Sequence, residues 1–66
     1  MPYIIVRALK GRGVDQKREL AKRITDATVE VYRIPPEAVS VRFEEVEADS
    51  LAVGGVLRSD APGGHS

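Results

Sequence analysis

The sequence predicts an α/β fold: a single βαβ unit followed by a short C-terminal hairpin. Three observations predict it. Residues 3–9 are rich in β-branched side chains, residues 15–32 carry apolar side chains at helical spacing, and residues 39–46 alternate apolar with polar.

Tyr3 to Leu9 reads Tyr-Ile-Ile-Val-Arg-Ala-Leu, a strand composition, and Lys10-Gly11-Arg12-Gly13 breaks it. From Asp15 to Tyr32, Leu20, Ile24, Ala27 and Val31 recur at intervals of four, three and four, which is a helical stripe. Ala21 and Thr28 widen that stripe, and Asp15 suits the positive end of the helix dipole. Ile34-Pro35-Pro36 ends the helix, because proline disfavours helical geometry in the residue before it. In Val39 to Val46, Val39, Val41 and Phe43 alternate with Ser40, Arg42 and Glu44, giving a strand with one apolar face. Glu47 to Ser50 reads as a loop. Leu51-Ala52-Val53 and Val56-Leu57 flank Gly54-Gly55, a small hairpin. Residues 58–66 include Pro62, Gly63 and Gly64 among mostly polar residues and are expected to form a loose, flexible tail of a single domain, 1–66.

Two strands joined by a helix should be parallel, with a right-handed crossover. One helix covers one face of their sheet. The face of Val39, Val41 and Phe43 is expected to meet Leu20, Ile24, Ala27 and Val31. The other face, with Tyr3, Ile5, Arg7, Leu9, Ser40, Arg42 and Glu44, is left open. Parallel sheets are normally covered on both faces, and two strands alone are unstable.

A chain of 66 residues also buries a marginal core. With no cysteine, disulfides and thiolate metal sites are excluded. The one histidine, His65, follows Gly63-Gly64 and reads as a solvated tail residue, so no metal site is expected. Association with copies of itself remains as the source of stability.

Lysine plus arginine equals aspartate plus glutamate, ten each, and there are three aromatics. That is neither the basic footprint nor the stacking platform of a nucleic-acid binder. The first apolar stretch, Pro2 to Val6, is too short for a signal peptide or a membrane span, so a cytoplasmic protein is expected.

Two features suggest chemistry. Met1-Pro2 would leave a free secondary amine at Pro2 once methionine is removed. An α-amino group titrates near about 7.7–8.0, and burial or nearby cations lower that value toward what proton shuttling requires. Many chains that begin Met-Pro make no such use of it. Arg12, between two glycines and just ahead of the helix, can grip a carboxylate with parallel hydrogen bonds, or can be a solvated loop residue.

Taken together, Pro2 opening a strand, Leu9-Lys10-Gly11-Arg12, Asp15-Gln16-Lys17 opening the helix and Val53-Gly54-Gly55 near the end resemble the 4-oxalocrotonate tautomerase family, without a gap from Pro2 to about Leu57. The resemblance implies small homohexamers built as trimers of dimers, in which two βαβ units pair into a four-stranded sheet. It implies proton transfer by Pro2 between enol oxygen and carbon of a 2-hydroxy or 2-oxo unsaturated acid. It also implies carboxylate binding by Arg12 of a neighbouring subunit, and no metal or organic cofactor.

The sequence departs from that family in two places. A second substrate arginine is expected near the start of the second strand, where this chain has Ser40. Arg42, two residues later on the same face, either reaches into the pocket or pairs with Glu44, Glu45 or a partner chain. An aromatic pocket residue is replaced by Leu51, which reshapes the wall but still excludes water, and which also suits a small satellite core. Arg7 is expected to pair with Glu44. Val53 stands where hydrolytic relatives carry a carboxylate, which argues against dehalogenation. A non-catalytic oligomeric binding module and a proline nucleophile that adds to carbonyls are the competing readings.

Overall fold

The computed structural model describes residues 1–61. Strand β1 (Tyr3–Leu9) leads to helix α1 (Val14–Tyr32), strand β2 (Ser40–Val46) and a hairpin of β3 (Ala52–Val53) and β4 (Val56–Leu57). Two short 3-10 turns, Pro36–Ala38 and Ala48–Ser50, stand where a proline break and a loop were expected.

β1 and β2 are parallel, paired from Tyr3 with Ser40 to Leu9 with Val46. Strand parity then fixes the faces. Ile4, Val6 and Ala8 stand beside Val41, Phe43 and Glu45 on the half-buried helix side. Tyr3, Ile5 and Arg7 stand beside Ser40, Arg42 and Glu44 on the open side, as the alternation predicts.

α1 begins at Gly13, whose amide donates to Gln16 Oε1 at 3.1 Å. It ends at Arg33, whose amide still donates to the Val29 carbonyl at 2.9 Å and whose left-handed backbone (φ 56°) then turns the chain out of the helix. The helix is rotated from the expected stripe. Ala21, Ile24, Thr25, Thr28 and Val29 are half-buried and Leu20 lines a cleft with Val6 and Phe43 as expected, while Ala27 and Val31 are exposed, Val31 by 74%. Two strands about 4.8 Å apart are narrower than the apolar arc of this helix, so one flank overhangs the sheet.

Gly54 and Gly55 both have positive φ (61° and 82°), which fits a two-residue hairpin turn whose twist matches its strands. The start of the expected loose tail is tied down. The Arg58 amide donates to Leu51 O at 2.8 Å, and Ser59 to Ala48 O at 3.0 Å. Residues 62–66 of that tail, with His65, lie outside the described residues.

Leu9 is the one buried side chain among the described residues, at 4% exposure. That core cannot offset the chain entropy of some sixty ordered residues, each costing roughly 1.5 kcal/mol. The open face and the overhanging flank of α1 therefore require cover. No helix among the described residues is long and apolar enough to cross a membrane.

Candidate active site

Pro2 lies just ahead of β1 on the helix side of the sheet and is half-buried. Its carbonyl accepts the Ser40 amide at 3.1 Å, which joins the starts of the two strands. Together with Tyr3, Ile4, Thr28 and Tyr32 it lines a cavity of about 360 Å³. Thr28 donates its hydroxyl to Ile24 O at 2.8 Å, so that group is already engaged within the helix. Met1 stands clear of the fold at 93% exposure, open to removal.

Arg12 is at the other end of β1. Gly11, at φ 140°, makes the turn that only glycine adopts readily, and Arg12 follows it, exposed, just before α1. On the helix side Arg12 lines a small cleft of about 70 Å³ with Ala8, Gln16, Lys17 and Glu45. Lys17 Nζ donates to Glu45 Oε1 at 2.6 Å there, half-buried, so this carboxylate does not neutralise Arg12 alone.

Leu51 is at the same end but on the open face. With Leu9, Val46, Val53 and Arg58 it lines an apolar cleft of about 480 Å³. Arg7 and Glu44 also border this cleft and form the expected pair, Nε to Oε1 at 2.9 Å.

Within one chain Arg42 lies on the open face beside Glu44. Its Nε is 3.4 Å from Glu44 Oε2. The Tyr3 hydroxyl first, and then the Glu44 charge, hold its guanidinium above its usual pKa. Glu44, hydrogen-bonded by Arg7 and flanked by Arg42, is held below the usual carboxylate range. Arg42 thus serves a charge ladder on the open face, Arg7–Glu44–Arg42–Tyr3.

One chain brings together Pro2 and Ser40 at one end of the sheet, and Arg12 and Leu51 at the other. The seven residues of β1 span about 20 Å, so Pro2 and Arg12 of the same chain cannot hold one small molecule. Tyr32 in the Pro2 cavity and Arg58 beside Leu51 escaped the sequence reading. The signal for Tyr32 was its place one helical turn after Thr28; Arg58 had none, because it lay in the supposed tail. Among the described residues no cluster of histidine, cysteine or carboxylate side chains is arranged to hold a metal.

Comparison with known proteins agrees with this architecture. Residues 2–61 match the family model described as tautomerase enzyme. A probable tautomerase of Bacillus cereus is 42% identical over 60 residues, covering 91% of this chain and 98% of the relative. The 2-hydroxymuconate tautomerase of Bacillus subtilis is 40% identical over 60 residues, covering 91% and 97%. The crystal structure of a 4-oxalocrotonate tautomerase homologue superposes with a TM-score of 0.87 at 40% identity, covering 94% of this chain and 98% of that one. A heterohexamer 4-oxalocrotonate tautomerase from Chloroflexus aurantiacus superposes with a TM-score of 0.84 at 27% identity, covering 94% and 100%.

Proposed function

The chain belongs to the tautomerase family, and on that premise we propose that it interconverts the enol and keto forms of a small unsaturated 2-hydroxy or 2-oxo carboxylic acid, with the Pro2 amine as general base. The observation that carries this reading is the position of Pro2. It is half-buried at a cavity wall, anchored through its carbonyl by Ser40, and preceded by an exposed methionine. With Met1 removed, the secondary amine accepts the enol proton and delivers a proton to a carbon of the conjugated chain. Substrate closing over the uncharged wall would exclude water from the amine, which favours the neutral base that proton transfer needs.

Arg12 binds the substrate carboxylate from a second copy. Among the described residues both outer edges of the β1–β2 sheet are unpaired, and two β1 strands running antiparallel would set Pro2 of one chain beside Arg12 of the other in a four-stranded sheet. Further association through the open faces gives a homohexamer; the Chloroflexus relative is a heterohexamer. Ser40 holds Pro2 in place through its backbone amide, and Leu51 contributes a dry wall where a further copy closes the open face. Arg42, paired with Glu44, lends positive potential rather than a direct grip. The chemistry calls for no cofactor, and the proposed location is the cytoplasm.

The test is the ultraviolet rate of 2-hydroxymuconate ketonisation, on protein shown by mass to lack Met1, beside Pro2→Ala. A rate that collapses in the variant supports proline catalysis. A rate that the variant leaves unchanged refutes it and favours a non-catalytic oligomeric module, which the serine at position 40 would also suit.

A further inference from the structure

We propose that Tyr32 makes the Pro2 site selective for a conjugated enol with one carboxylate and an uncharged, planar far end, such as an aryl group. The inference rests on the proline-base reading and names its substrate class. The cavity at Pro2 is lined by Tyr3, Ile4, Thr28 and Tyr32. None of these is charged, and the Thr28 hydroxyl is engaged with Ile24. At about 360 Å³ the space falls in the range of small-molecule sites.

A substrate held at one end by Arg12 of a second copy would lay its far end along this wall. None of the residues that line this cavity within one chain offers a second carboxylate a guanidinium. The residue next to Pro2 is Ser40, and Arg42 is engaged by Glu44 and Tyr3 on the opposite face. Burying an unpaired carboxylate is costly, whereas a planar ring stacks favourably on a phenol.

Tyr32 is well placed for this. It is the last residue of α1, one turn after Thr28, and the left-handed cap at Arg33 fixes the helix end beneath it. The ring therefore arrives at Pro2 from a rigid element rather than from a loop.

Phenylenolpyruvate and 2-hydroxymuconate are the probes, one an aryl monoacid and the other a diacid. The kcat/KM ratio of monoacid to diacid is expected to exceed one. Tyr32→Leu should lower that ratio roughly three- to tenfold, chiefly through KM, and Tyr32→Phe should restore it. Calorimetric binding of cinnamate against muconate reads the same selectivity without turnover. A wild-type preference for the diacid, or a ratio indifferent to Tyr32→Leu, overturns the proposal. Activity that survives Pro2→Ala overturns the proline reading instead, and the binding comparison then decides the selectivity by itself.

Discussion

The Ser40 amide donates to the Pro2 carbonyl across 3.1 Å, so the first residue of β2 anchors the residue that carries the amine. Proline in place of Ser40 removes this donor without disturbing the pairing of Val41, while alanine keeps it. Ser40→Pro is therefore expected to cost about 1 kcal/mol, the typical net value of a hydrogen bond. Turnover should fall as the amine loses its fixed position. Ser40→Ala should stay near wild type in denaturant midpoint, because the bond uses the backbone. Equal stability of the two variants would show that the anchor contributes nothing.

Much of this arrangement was legible in the sequence. The alternation in residues 39–46 places Val41 and Phe43 inward, and the Arg7–Glu44 pair follows from facing charges on neighbouring strands. The rotation of α1 was not legible. Periodicity shows that Ala27 and Val31 share a face with Ile24, but not how wide a sheet is available to cover it. The ordered segment after Leu57 escaped because its hold is backbone to backbone, from Arg58 to Leu51 and Ser59 to Ala48, and composition carries no trace of such bonds. The separation of Pro2 from Arg12 follows from strand length. Their proposed meeting needs a second chain, which no pattern within one chain specifies.

Arg12→Ala should raise KM far more than it lowers kcat, because the guanidinium grips a carboxylate that stays charged throughout the reaction. A charge-assisted hydrogen bond is worth about 1.5–3 kcal/mol, which corresponds to a loss of roughly ten- to 150-fold in kcat/KM. Arg12→Lys keeps the charge but loses the fork and should fall between. Steady-state kinetics on the three proteins decide this. A fall confined to kcat would move Arg12 from binding to proton transfer.

Glu44 gives the assembly an acid limit. Its carboxyl is held below its ordinary value first by the Arg7 hydrogen bond and then by the charges of Arg7 and Arg42. A depressed folded-state pKa contributes stability that is fully present above the unfolded value, about 4.3, and is lost as pH falls through the lower folded one. Melting temperature should therefore decline more steeply below about pH 4 in wild type than in Glu44→Gln, which lacks the titration. Parallel acid limbs for the two proteins would remove the Arg7–Glu44–Arg42 ladder from the account.

A site shared between chains can be tested by mixing two impaired proteins at a substrate concentration well below the KM of Arg12→Ala. Pro2→Ala lacks the base but keeps Arg12, and Arg12→Ala lacks the grip but keeps Pro2. If every site takes Pro2 from one chain and Arg12 from its neighbour, each mixed pair contains one site with both residues intact and one with neither. Random reassociation of equal amounts makes half of the pairs mixed, so about a quarter of all sites should recover, as two-fold symmetry requires. The mixture is unfolded and refolded together, and its turnover is compared with the two variants refolded separately. Recovery near a quarter of wild type places Pro2 and Arg12 in one site across two chains. A mixture no more active than its components would confine the site to one chain, and the 20 Å span of β1 would then exclude Arg12 from it.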